Sequence, residues 1–404
     1  MIKNTNFIIQ NRACCVNYNL FIYAFATLST IAPFVPYFTI YGNMSAVDIF
    51  VPFLLFWLAV FKNNRIIIPW QAVLIFIIAL IALVSLTYNY LFSQYVDGLH
   101  GVGQVIRWFY FGSIVVLIIN YIQDVRKIIV VYNAIMTGLI VTLLYAWYGW
   151  YNSPVHFGGI PMLHVIDFDL NRNYLGYFLS LGSVLSYSMF FISKNTVIKY
   201  LFLLIFFLFL FSTVLTFSKG ALLSVFIALL TYFNVWFVAF IVIALLLFGN
   251  YIMIIQSNYV DRFTTSSYND ERLQFVLDAI LAIFNNPLLG VGPGNYKSYS
   301  DYVNAQVTSD PHNALLWVGA ESGLLVVLII LIIIIWLTKH GIFGLSKNPV
   351  LSPLRSLIIV NFLNIPIHGL TFSMKYFWIS IGLLLSINFI SKKMHHSSDN
   401  RGSY

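Results

Sequence analysis

The sequence predicts an all-α protein, a polytopic transmembrane helix bundle of about twelve helices with one large outward loop that contains an amphipathic helix. Three observations predict it. The 404 residues are 60% hydrophobic and only 8% charged, with a mean hydropathy of +0.87, which is too apolar for a soluble fold. Apolar runs that reach the roughly 17–25 residues needed to cross a bilayer recur along the chain, without the alternating polar pattern of barrel strands. Lysine and arginine also sort to one set of inter-helix loops, as cytoplasmic loops require.

Taken in order, length and hydropathy place helices near 20–40, 46–61, 66–92, 104–122, 128–150, 173–192, 198–217, 220–233, 235–255, 313–337, 354–371 and 374–390. Residues 1–19 are short and polar, with Lys3 and Arg12, and the long apolar run behind them reads as an uncleaved first helix rather than a signal peptide. Cys14 and Cys15 are adjacent with no distant partner, so no disulfide framework is expected. The chain divides into an N-terminal bundle of about nine helices (1–255), a large outward loop (256–312), C-terminal helices (313–390) and a cytoplasmic tail (391–404), read as disordered.

The charges set the orientation. With both termini inside, Lys3, Arg12, Lys62, Arg65, Arg126, Lys127, Lys194, Lys199, Lys339, Lys347, Arg355, Lys392, Lys393 and Arg401 fall in the cytoplasm, with only Asp124 and Asp399 among the acidic residues. Segments 151–172 and 256–312 then face outward, to the periplasm or exterior in a bacterium. The net charge of +8 is scattered through short loops and is no nucleic-acid signal.

Seven cations break the pattern on the outward side: Arg107, Arg172, Lys219, Arg262, Arg272, Lys297 and Lys375. Any one can snorkel to the headgroup layer, but several together point to an anionic ligand at the membrane surface. In the helix expected from Asp270 to Phe284, a 100° step puts Asp270, Glu271, Gln274 and Asp278 on one face. Arg272 lies opposite, with Phe275, Val276, Ala279 and Ile283. An arginine on an apolar face needs an anion, either Glu321 in a salt bridge or a phosphate gripped by the guanidinium fork.

Asp310-Pro311-His312-Asn313 reads as a helix start, with Asp310 as N-cap and Pro311 at the first helical position. His312 then lies in the first turn, where the positive end of the helix dipole favours neutral imidazole. A neutral imidazole can take a proton from a hydroxyl nucleophile, or serve only as a structural hydrogen-bond donor. Glu321, about two and a half turns deeper, is expected to pair with a cation. Residues 286–295 (NPLLGVGPGN) are a helix stop followed by turns; the run lacks the Gly-Lys-Ser/Thr ending of a P-loop. It reverses the chain, and its backbone N–H groups could cradle an anion. His100, His156, His164 and His368 show no metal spacing, so no metal site is expected.

Arg272, the 286–295 run, Pro311-His312-Asn313 and Glu321-Ser322-Gly323-Leu324-Leu325 together resemble the C-terminal signature of the O-antigen ligase and O-antigen polymerase superfamily. Ser218-Lys219-Gly220-Ala221 looks like its Ser-Arg-Gly-Ala element, and Asn171-Arg172-Asn173 like the Asn-containing start of its middle helix. The resemblance implies a metal-independent integral-membrane glycosyltransferase of the bacterial inner membrane, without cofactor, acting at the periplasmic face. It implies an undecaprenyl-diphosphate-linked oligosaccharide as donor and, as acceptor, another lipid-linked glycan, the lipid A core or a protein hydroxyl. Membrane lipids and other polysaccharide-assembly proteins are the further partners implied. His312-Asn313, nine residues and Gly323 follow the ligase-type spacing. Val326 departs from the small or Tyr residue expected there, and Lys219 keeps the charge of the family's Arg but loses its fork.

The residues and the resemblance meet on one mechanism. Arg272 and Lys219, with Arg172, would hold the diphosphate, and His312 would orient or deprotonate the acceptor, supported by Asn313, Glu321 and Asn173. One-step displacement predicts inversion at the anomeric carbon. Tyr259, Tyr268, Tyr296, Tyr299 and Tyr302 are candidates for stacking on sugars or for anchoring at the membrane interface. The modest loop and Val326 favour a polymerase; a ligase is the alternative. A flippase of lipid-linked sugars is a more distant one, for which two related halves and interrupted helices would be expected.

Overall fold

The computed structural model describes residues 23, 26–27, 39–41, 44–45, 51, 66–94, 96, 98–157, 160–163, 172–232, 266–303, 311–345, 351–366, 372 and 374–399. At 39–41, 44–45, 99, 155–161, 172, 266–272 and 391–399 it describes the backbone alone. The expected helix 235–255 lies outside these residues, as do most of 20–40 and 46–61.

Among the described residues there are twelve α-helices. They are α1 (Trp70–Phe92), α2 (Gly98–Tyr121), α3 (Val125–Asn152), α4 (Arg172–Ile192), α5 (Thr196–Leu215) and α6 (Lys219–Leu230). Then come α7 (Ser266–Asn285), α8 (Tyr296–Tyr302), α9 (Ala314–Ser322), α10 (Leu324–Leu337), α11 (Ser352–Asn364) and α12 (Lys375–Asp399). Two short antiparallel hairpins accompany them, Thr39–Tyr41 with Met44–Ser45 and Val155–Phe157 with Ile160–Met162. Among the described residues, six helical spans are long and apolar enough to cross a membrane: α1, most of α2, α3, most of α4, α5, and α10 continued through a π-helical turn to Phe343. The protein is a multi-pass membrane protein of helical architecture.

Local chemistry explains most boundaries. The Asp124 carboxylate accepts the Arg126 N–H to open α3, and Asn195 accepts from Val197 and Ile198 to open α5. Pro353 sits in the first turn of α11, where its missing N–H costs nothing. In the interior, α4 is packed against α5, α6, α11 and α3, and α12 against α2. The hydroxyls of Ser183, Ser186 and Ser188 donate to carbonyls one turn back, so small polar residues sit in this tight interface without unsatisfied groups.

Three expectations change, and the simplest is that the helix expected over 354–371 ends at Asn364, with a turn at 365–366. The helix foreseen over 313–337 is two helices, broken at Gly323 (φ 85°). Its hydropathy is continuous, but the turn 287–292 docks into the break and takes up the freed backbone groups. The segment after Ile390, read as a loose tail, continues α12 in helical backbone to Asp399.

Candidate functional site

Several helices present their ends to the side that the charge pattern assigns outward. Ser218 caps α6 by accepting the Ala221 N–H at 3.4 Å, and its hydroxyl donates to Asn173 Oδ1 at 3.1 Å at the start of α4. A Cβ on Gly176 would lie 2.6 Å from the Ser218 Cβ, so only glycine lets α4 approach this cap. The two sequence elements that contain Arg172-Asn173 and Ser218-Lys219 are thereby joined. Arg172 and Lys219 each adjoin one end of the Asn173–Ser218 hydrogen bond. Lys219 is exposed; the Arg172 side chain lies outside the described residues.

Asn364 at the end of α11 donates to Ser224 Oγ of α6 at 3.0 Å, and the next residue's carbonyl accepts the Ala314 N–H at 3.0 Å. That places the start of α9 at the same end as the start of α6. The N-cap of α9 is Asn313, whose Oδ1 accepts from Leu315 N at 3.0 Å and Leu316 N at 3.2 Å. This corrects the expectation of Asp310, which lies outside the described residues, as cap and Pro311 as first helical residue. His312 precedes the helix instead of lying in its first turn, and its φ of 42° turns the chain out of helical geometry.

The half-buried His312 ring meets Phe275 edge-on, with centroids 5.5 Å apart and planes at 76°. Phe275, Ala279, Ala282 and Ile283 are the buried face of α7, as its periodicity predicts. Arg272 stands one helical turn before Phe275 on that face by backbone position. Further along, a Cβ on Gly319 would lie 2.9 Å from Ile283 Cδ1, so α7 and α9 run side by side in the same direction. Arg272 is therefore about 16 Å along the helix axis from the level of Gly319. Glu321 lies beyond that level, which removes the Arg272–Glu321 salt bridge as an alternative. On its other side α7 exposes Leu273, Leu277, Leu281 and Phe284, an apolar stripe suited to lipid contact.

The glycine-rich turn holds the break rather than an anion. Val291 N–H donates to Ala320 O at 2.8 Å, Gly292 N–H to Glu321 O at 3.0 Å, and Leu324 N–H to Pro287 O at 2.9 Å. The N–H groups of Gly290 and Asn295 are likewise spent on Asn286 O and Gly292 O. Anion binding by these N–H groups is thus overturned. A Cβ on Gly323 would lie 2.2 Å from Leu288 O, and one on Gly290 2.4 Å from the Glu321 carbonyl carbon. Backbone meets backbone here, and only glycine fits.

Sequence reasoning missed what clamps this turn. Ser85 Oγ donates to Leu289 O at 2.5 Å, and Asn89 Nδ2 to Gly290 O at 3.2 Å. Their signal was available: Ser85 and Asn89 stand four residues apart on the largely apolar α1, and Ser93, which caps its end, continues the spacing. Sequence also gave no sign that Arg107 and Glu321 line one cavity. Of the tyrosines, Tyr296 is 2% exposed and belongs to the core with Ala279 and Val291, so it cannot meet a sugar. Tyr302 is exposed and Tyr299 half-buried; Tyr259 and the Tyr268 side chain lie outside the described residues.

No curated protein and no solved structure matches this chain. The O-antigen ligase family model matches residues 204–331, a span that holds Lys219, Arg272, His312, Asn313 and Glu321 but stops short of Arg172 and Asn173. That match, laid over the junctions of α6, α7 and α9 just described, supports placing the chain in the O-antigen ligase and O-antigen polymerase superfamily.

Proposed function

We propose that the protein is a polymerase of O-antigen or a related surface polysaccharide. It transfers a glycan from undecaprenyl diphosphate to a sugar hydroxyl of another lipid-linked repeat unit. The site faces the periplasm from the inner membrane, with both termini in the cytoplasm. The observation that carries the reading is the His312–Phe275 contact, which supports a base and the helix of Arg272 acting on one substrate. The acceptor oxygen attacks the anomeric carbon, the bond to the diphosphate oxygen breaks with inversion, and His312 receives the hydroxyl proton. Arg272 and Lys219, with Arg172, stabilise the charge gathering on the departing diphosphate. Asn313 caps and holds the helix behind His312, and Asn173 holds the start of α6.

A ligase, moving the finished glycan to the lipid A core or a protein hydroxyl, is the second reading. The His312-Asn313 to Gly323 spacing and the description of the matched family favour it. Val326 is fully buried at the start of α10, so its departure reflects packing and leaves loop length as the argument for a polymerase. A flippase is favoured less, because the broken helix leaves its backbone groups bonded to the turn rather than open to a substrate.

The deciding experiment is the surface glycan of a deletion strain, resolved by repeat number on the lipid A core. A single attached repeat identifies the polymerase. Loss of all attached glycan, with polymer accumulating on the undecaprenyl carrier, identifies the ligase.

A further inference from the structure

Between α2 and α9 lies a cavity of about 30 Å³ lined by Arg107, Gln104, Glu321 and Ser322, with Trp108 and Trp317 among its walls. Arg107 and Glu321 are each 8% exposed. The volume suits about two waters and is far too small for a sugar ring. Opposite charges that line one buried cavity in a membrane protein are placed where each can offset the cost of burying the other. Arg107 stands on a rigid support: it donates to Gln104 Oε1 at 3.2 Å, and the neighbouring Trp108 packs edge-on against Trp378 of α12 at 5.7 Å. Glu321 stands on the break. Its carbonyl accepts Gly292 N–H at 3.0 Å and the Ser85 hydroxyl at 3.4 Å, and Gly290 touches its carbonyl carbon with no spare room. A displacement of Glu321 therefore moves both the glycine turn and α9, whose N-cap is Asn313.

We propose that Arg107 and Glu321 act as one hydrated charge pair that sets the register of the broken helix against the glycine turn, and so positions His312. They are positioning residues, and their effect on transfer rests on the reaction proposed above. An apolar pair of equal volume would hold the helices together as well; the charged pair selects one register.

Hydrogen exchange at Val291 and Gly292, whose N–H groups bond to α9, reads that register without reference to activity. The protein is taken in lipid nanodiscs as wild type, Arg107→Gln, Glu321→Gln and the double variant. Each single variant is expected to speed exchange about tenfold or more, and the double variant to return within about threefold of wild type. In vesicles with the native lipid-linked glycan, each single variant should lower kcat with little change in KM, and Arg107→Lys and Glu321→Asp should retain more of it. Exchange in the double variant equal to the product of the singles, or unchanged in the singles, overturns the pair. Should a single variant fail to accumulate, recovery of accumulation in the double variant supports the pair and equal loss overturns it. Wild-type transfer in His312→Ala, with the exchange coupling intact, would instead overturn the reaction alone.

Discussion

At the start of α6 and at the start of α9 the chain makes the same local manoeuvre. A residue with positive φ is followed by a polar N-cap in extended backbone, and then by the helix. Phe217 (φ 52°) and Ser218 do this for α6, His312 (φ 42°) and Asn313 for α9. Among the described residues these are the non-glycine residues of positive φ, each storing about 1–3 kcal/mol of strain. At α6 the strained residue is a half-buried aromatic that lets α5 reverse within three residues, and the cation Lys219 follows as an exposed first helical residue. At α9 the strained residue is itself the histidine, set against Phe275. One strain makes a turn; the other aims a side chain.

Substitutions can break or sharpen that comparison. His312→Ala should abolish glycan transfer, by a factor of at least ~10², while the protein still inserts in the membrane. His312→Gly, which relieves the positive φ, should be as inactive; normal transfer with glycine would reduce His312 to a turn residue. Arg272→Ala should be comparably inactive in the same vesicle assay, because the proposed reaction needs a phosphate partner one turn from Phe275 on the face that meets His312. Lys219→Ala should reduce transfer less than Arg272→Ala, and Lys219→Arg should retain it, since exposure screens its charge.

The caps separate positioning from mere stability. Asn313→Ala and Ser218→Ala should each lower stability by about 1 kcal/mol, measured as a shift in thermal unfolding in detergent. Only Asn313→Ala should also lower kcat clearly beyond that shift, and Asn313→Asp should restore it. Equal kinetic losses at both caps would erase the distinction. The smallest effect is expected at Phe217→Asn, where relief of strain offsets lost packing to within about 1 kcal/mol and transfer continues.

Much of the site was legible before any tertiary contact. The buried face of α7 followed from its period, whereas the joining of Asn173 with Ser218 came from the structure: the two motifs were legible as separate elements but not as neighbours. The cap of α9 was misread because Asp-Pro is a common helix opening, yet the Asn313 amide reaches both first-turn N–H groups after the chain has turned at His312. The anion cradle loses the N–H groups of Gly290, Val291, Gly292 and Asn295 for a related reason: such groups serve an anion only until other backbone claims them. Tyr296 looked like an interface aromatic and proved to be core because α8 lays it on α7.

Sequence by itself determined the membrane class, most of the helical elements and the superfamily signature, and it predicts that Arg172, Lys219, Arg272 and His312 share one face of the membrane. Hydropathy, charge asymmetry and motif order are written along the chain and require no partner to read. Only the tertiary structure decided that 313–337 is broken at Gly323, that Glu321 belongs to the cavity of Arg107 rather than to Arg272, and that Ser85 and Asn89 clamp the glycine turn. Those outcomes depend on which buried donors meet which acceptors between segments about thirty residues apart at the break and about two hundred apart at the clamp, and in a membrane interior with little water to substitute, such groups find their partners in the fold.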